Sequence, residues 1–217
     1  MSGRGRSAVD TGDFRDWVPP SVCDRVRQTK YFSRNPVRRW LIRNYLEAVG
    51  AMVELAGPES LLDVGCGEGF VAKFLGSRLS VATKVGCDLR SDVLSVAGAV
   101  NAEQPFAVAD AFHLPFRCSR FDLVMCNEVL EHLPNPAEAL AEIVRVSRRW
   151  VLLGVPNSPL YRMGNLVGGS HWAQCGEEPD HRQRWTVPRF RAFVETFLTV
   201  SQIRCPFPWI IVLAHHR

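Results

Sequence analysis

The apolar positions change period along the chain, and each period predicts an element. In "NPVRRWLIRNYLEAVGAMVELAG", Val37, Leu41, Tyr45, Leu46, Val49, Met52 and Val53 recur at helical spacing. Pro36 suits a helix start and Gly57-Pro58 a stop. Beyond it, short apolar runs alternate with helical stretches. "SLLDVG", "TKVGCD", "PFAVAD", "FDLVMCN" and "WVLLGVP" read as buried strands. "FVAKFLGSRL", "SDVLSVAGAV" and "NPAEALAEIVRVS" read as the helices between them, with Ala139, Ile143 and Val146 on one side of the last. Strands separated by helices imply a parallel sheet covered on both faces. "VPRFRAFVETF" is a further helix, and "TVSQIRC" and "WIIVLAHH" are expected to pair as an antiparallel hairpin at the sheet edge.

Two stretches break the pattern. Residues 1–20 are polar and rich in Gly and Arg, and read as a flexible arm ending at Pro19-Pro20. Residues 21–217 then form a single domain. Within it, about 156–186 has no strong period and reads as a lid or substrate insertion, with a short helix around Leu160 to Val167.

Composition changes this picture little. With 217 residues, 47% hydrophobic and 22% charged, the chain has the makings of one ordinary globular core. A net charge of +4 allows anionic ligands without arguing for nucleic acid. Seven cysteines without a CxxC pair suit a reducing compartment. The N-terminus lacks the apolar core of a signal peptide, and no apolar run approaches a membrane span of about 18 residues. A cytoplasmic protein with no membrane partner is expected, as a monomer or homodimer.

The candidate chemistry begins at "LLDVGCGEGF". Gly65, Gly67 and Gly69 let the backbone bend sharply after a buried strand and approach a ligand closely. The following helix turns its first amides toward the bend. In doubly wound sheets, ligands lie beyond the carboxyl ends of the strands. No Gly-Lys-Ser/Thr follows, and the spacing differs from the dinucleotide G-x-G-x-x-G. Asp63 and Glu68 would repel a pyrophosphate and attract a cationic amino-acid group. S-adenosylmethionine carries a sulfonium and an ammonium and no phosphate. A tight turn that binds nothing stands as the bland alternative. Asp88 closes "TKVGCD", where a carboxylate can accept both ribose hydroxyl protons, and Asp110 closes "PFAVAD", where it could hold an adenine amino group between Ala111 and Phe112. Each acid alone is more often a turn or cap residue.

"LLDVGCGEGF", "VGCDLR", "VADAFHLPF" and "FDLVMCNEVLEHL" together resemble the class I S-adenosylmethionine-dependent methyltransferases of the type 11-like kind, over roughly residues 58–156. The resemblance implies a Rossmann-like, doubly wound α/β fold: seven strands, mostly parallel, the last antiparallel, with helices on both faces. It places Asp63, Gly65, Cys66 and Gly67 around the methionine part of the cofactor, Asp88 and Leu89 at the ribose, and Asp110 and Ala111 near the adenine. Asn127 would face the reacting centre.

The acceptor is harder to read. In "NEVLEHLPNP", Glu128, Glu131 and His132 would share one face if the stretch were helical, and His171 and His181 lie in the lid. Glu128, His132 and His181 are the candidate catalytic residues, with proton removal as their task. "EVLEH" and "DHRQRWT" also resemble small-RNA 2′-O-methyltransferases, which implies a divalent metal on Glu128, Glu131, His132 and His181. Many small-molecule family members carry the same motif without metal. Leu160, Tyr161, Met163, Trp172 and Trp185 of the lid, with Tyr31, Phe32 and Trp40, could wall an acceptor pocket or simply pack. His113, His215 and His216 read as fillers. The expected activity is methyl transfer to a small-molecule acceptor at oxygen. An RNA 2′-O-methyltransferase and a non-catalytic cofactor-binding subunit are the alternatives.

Overall fold

A computed structural model of the protein describes residues 14–26, 30–158, 160 and 181–217. The expected helix around 160–167 and the lid residues Tyr161, Met163, His171 and Trp172 therefore lie outside the described residues, except Leu160.

Seven strands form one sheet: β1 (Ser60–Val64), β2 (Thr83–Asp88), β3 (Phe106–Val108), β4 (Phe121–Asn127), β5 (Ser147–Pro156), β6 (Thr199–Arg204) and β7 (Trp209–His215). Their order is β3-β2-β1-β4-β5-β7-β6. The first five are parallel, and β7 runs antiparallel to both β5 and β6. The expected terminal hairpin is present, with β7 inserted inside and β6 at the edge.

The helical segments are α1 (Cys23–Val26), α2 (Pro36–Ala56), α3 (Phe70–Gly76), α4 (Ser91–Val100), α5 (Pro136–Val146) and α6 (Val187–Val194). The long α2 starts where the sequence signals it. The Asn35 side chain accepts from the Val37 and Arg38 amides, Pro36 sits at the first helical position, and Gly57 stops the helix in the left-handed region at φ 55°. Alternate strand residues feed two cores. Leu61, Leu123, Met125, Leu152, Ile211 and Leu213 pack with α2, α3 and α4 on one face. Leu62, Val124, Cys126, Leu153, Ile210 and Val212 pack with α5 and α6 on the other. That period-two division is what fixes strand register against the helices.

Two boundaries differ from the sequence reading. Helix α5 runs straight into β5, which begins at Ser147 rather than Trp150. Strand β3 stops at Val108, so Asp110 does not close it. Instead Asp110 turns the chain, its carboxylate accepting from the Phe112 amide at 2.9 Å, a local bond that competes with continuing the strand. Packing also begins early, since Val18 and Val22 are already buried. No described helix is long and apolar enough to cross a membrane.

Candidate functional site

The sheet changes direction of winding between β1 and β4, and a crevice opens above their carboxyl ends. The chain leaving β1 bends there. The Gly65 and Cys66 amides both donate to the Cys87 carbonyl, at 2.8 and 3.0 Å, which folds the bend onto the end of β2. Gly65 has φ 73°, and a Cβ on it would lie 2.2 Å from Val129 Cγ2. No other residue fits between the bend and the β4 exit. Gly67 is different. Its φ of 52° favours glycine, but a Cβ there would meet nothing within 4 Å, because that face opens into the crevice. Asn101 of α4 holds the far side of the bend by donating from Nδ2 to the Gly69 carbonyl at 3.0 Å.

The pocket under this bend holds about 200 Å³. Asp63, Gly65, Cys66, Gly67 and Asn127 line it, as does Glu68. Helix α2 and the segment before it add a wall: Tyr31, which the sequence offered either as pocket wall or as packing, and Tyr45, whose helical spacing marked it as a core position. Asp63 is 3% exposed, and its Oδ2 has no hydrogen-bond partner. Burial, and secondarily the charge of Asp88, push its carboxyl up to about 7. Both polar atoms of the Asn127 amide are likewise buried and unpartnered. Burial also pushes the Cys87 thiol up to about 12 and the Cys66 thiol higher still, so both stay protonated.

Asp88 sits beside the bend and helps to hold it. Its Oδ2 accepts from the Gly67 amide at 2.9 Å and its Oδ1 from the Arg90 amide at 3.0 Å. Leu89 follows, 67% exposed. The Ala109 amide donates to the Asp88 carbonyl, which brings the 110–112 turn alongside. The structure thus gathers Asp88, Leu89, Asp110 and Ala111 at the ends of β2 and β3, next to the pocket rather than in its lining.

A clamp that the sequence did not announce fixes the rest of this loop. Arg145 of α5 donates to the Leu114 and Phe116 carbonyls at 2.9 and 2.8 Å and is paired with Glu142 at 2.6 Å. Glu142 in turn accepts from the Leu114 amide at 3.0 Å. Arg and Glu three apart on a helix are an ordinary surface pair by sequence. Only the fold shows that they grip the 114–116 backbone.

The stretch after β4 is a turn, not a helix, which corrects the expectation of one shared face. Glu128 takes φ 56°. Its carboxylate accepts from Trp209 Nε1 at 2.7 Å, at the edge of the pocket it lines. Glu131, His132 and His181 do come together. Their possible ligand atoms all lie within 4.8 Å of one another, and the two imidazole rings are 4.9 Å apart. The Arg182 and Gln183 amides donate to the Glu131 carbonyl, which ties the 181–185 segment to this turn. Of the four residues expected from sequence to hold a metal, the structure brings these three together, with Glu128 turned to Trp209. Trp185 is buried against Phe190 and Phe193, and so packs the core rather than walling a pocket.

Known proteins share this arrangement. Residues 62–151 match the methyltransferase domain family. Tocopherol O-methyltransferase of Arabidopsis thaliana is 36% identical over 95 residues, covering 41% of this chain and 27% of that enzyme, so the match spans well under two thirds of its length. The crystal structure of magnesium protoporphyrin IX methyltransferase from Synechocystis PCC 6803, with bound S-adenosylhomocysteine, superposes with a TM-score of 0.65 at 18% identity, covering 94% of this chain and 98% of that one. The methyltransferase domain of bacterial CtHen1-C gives 0.62 at 21%, covering 81% and 98%. The matched segment begins on β1, carries the glycine bend and the Asp88 strand end, and closes within β5: over residues 62–151 the chain matches the methyltransferase domain family, and its fold is that of these methyltransferase structures.

Proposed function

We propose that the protein is a methyltransferase that takes S-adenosylmethionine and methylates a small-molecule acceptor at oxygen. The observation that carries the reading is a set of buried polar atoms with no partner in one pocket: Asp63 Oδ2 and the Asn127 amide, under a glycine bend that opens toward them. Leaving such atoms unpaired costs about 1–3 kcal/mol each. A cationic ligand that hydrogen-bonds to them recovers that cost.

The residues present suit the cofactor. Asp63 and Glu68 supply negative charge for its ammonium and sulfonium ends, with the open face of Gly67 between them and the ligand. Asp88 keeps acceptor capacity beyond the two amides it holds, which suits ribose hydroxyls. The exposed Leu89 and the Ala111 turn offer apolar cover for a purine, with Asp110 at its edge. When bound, the cofactor supplies a methyl group on a positively charged sulfur. The acceptor oxygen forms a bond to that carbon as the carbon–sulfur bond breaks, and the acceptor's proton must leave. In this reading Glu128, which lines the pocket, and the His132–His181 pair that follows it receive that proton. Support for oxygen as the acceptor atom comes from the tocopherol O-methyltransferase match.

The test is direct. S-adenosylhomocysteine should bind in calorimetry while NAD and ATP do not, and labelled methyl groups should pass to phenolic acceptors. Tight NAD or ATP binding without S-adenosylhomocysteine binding would overturn the reading.

The Glu131–His132–His181 group favours a second reading, a metal-assisted RNA 2′-O-methyltransferase. Two imidazoles and one carboxylate suit a borderline divalent cation, which would lower the pKa of a ribose hydroxyl. Mn²⁺ should then bind in calorimetry and EDTA should abolish 2′-O-methylation of a small RNA. Activity indifferent to EDTA removes this reading and leaves the first intact.

A further inference from the structure

Tyr45 occupies a position of the apolar stripe of α2, yet it carries a hydroxyl that the fold does not use. The residue is 1% exposed and its Oη has no hydrogen-bond partner. Its ring lies against Trp209, with centroids 4.9 Å apart. Phenylalanine would make the same contact without burying an unpaired hydroxyl, which costs stability. The hydroxyl packs over Gly154, where only a residue without a side chain leaves room for it. A Cβ on Gly154 would stand 2.9 Å from Tyr45 Oη and 2.4 Å from Asn127 Oδ1. The phenol and the amide therefore converge over the bare backbone of β5, in the pocket that also holds Asp63.

The charges of that pocket sort the ligand's ends. Asp63, Glu68 and Glu128 suit cationic groups and repel a carboxylate. An amino-acid ligand brings both signs, so its carboxylate needs donors elsewhere. Tyr45 O–H and Asn127 Nδ2 are buried donors with no partner of their own. Burial raises the Tyr45 phenol well above its ordinary range, so it remains a donor at any working pH.

We infer that Tyr45 is a donor-binding residue, its hydroxyl and the Asn127 amide together taking the carboxylate of the methionine part of the bound methyl donor. The inference rests on the S-adenosylmethionine reading above. Tyr45→Phe tests it with two ligands measured by calorimetry: S-adenosylhomocysteine, and 5′-methylthioadenosine, which has the same nucleoside and thioether but no amino acid. The substitution should weaken S-adenosylhomocysteine about 10-fold to 100-fold, as expected for a hydrogen bond to a charged group, and leave methylthioadenosine unchanged. Equal losses for both ligands, or none for either, would overturn the assignment. A second measurement does not depend on the variant. On the unaltered protein, decarboxylated S-adenosylhomocysteine should bind at least about tenfold more weakly than the parent ligand; equal binding overturns the assignment as well. If the unaltered protein binds none of these ligands, it is the cofactor reading that fails.

Discussion

Replacing Asp63 by Asn separates what the site costs the fold from what it gives the ligand. The folded carboxyl titrates at about 7, raised by burial and then by Asp88, against 3.8 for an ordinary aspartate. Between those values the folded chain holds a proton that the unfolded chain has released. Stability of the ligand-free protein therefore falls as pH rises from about 4 through about 7, and is level above. A gap of about three pKa units sets an upper bound of about 4 kcal/mol. Asn keeps the shape and removes the titration. In urea denaturation at pH 8, the Asp63→Asn protein should be more stable than the parent by about 1–4 kcal/mol, with only about a quarter of the gain left at pH 4.5. Ligand binding should move the other way. An ammonium pairs with the charged carboxylate, so the parent's affinity for S-adenosylhomocysteine should fall up to about tenfold per pH unit below 7. The variant should bind more weakly at pH 8 and show no such slope. Parallel pH profiles for parent and variant in calorimetry would refute the reasoning, since the charge at Asp63 would then be neither the cost nor the attraction.

Three further substitutions probe the frame of the site. Gly65→Ala puts a methyl 2.2 Å from Val129 Cγ2 at φ 73°; it should lower stability by about 2–3 kcal/mol in urea melts and abolish S-adenosylhomocysteine binding. Arg145→Ala strips the 114–116 carbonyls of their donor; amide exchange across 110–118 should quicken, and ligand affinity should fall while the global midpoint moves by no more than about 1–3 kcal/mol. Asp88→Ala should weaken S-adenosylhomocysteine by about 1.5–3 kcal/mol if a charged carboxylate bonds the ribose, with unchanged affinity in calorimetry refuting that role.

The frame of this site was legible because it is local. A buried strand, a glycine bend and a helix occupy consecutive residues, so their chemistry appears in order along "LLDVGCGEGF". Strand ends at Asp88 and Asn127 follow from apolar runs that stop abruptly. What stayed hidden depends on contacts across long separations. Tyr45 has the spacing of a core residue, and only the placement of α2 over Gly154 turns its hydroxyl into the pocket. Glu128 has the spacing of a helical face, but its backbone enters the left-handed region and Trp209, 81 residues later, captures its carboxylate. Asp110 ends an apolar run without ending a strand, because its own side chain closes the turn first. In each case a tertiary or side-chain hydrogen bond overrides the periodicity from which elements are read.

The position of β7 carries a consequence for how the molecule is made. β6 is synthesised first, yet β7 is its sheet partner and lies between it and β5. Until residues 209–215 leave the ribosome, β6 has nothing to pair with and the open flank of β5 is a template for any passing chain. Trp209, which braces Glu128 and Tyr45, arrives with the same strand. A nascent polypeptide halted before it would display a nearly complete sheet that is sticky and a crevice that is unbraced, and the emergence of β7 seals both defects in a single event.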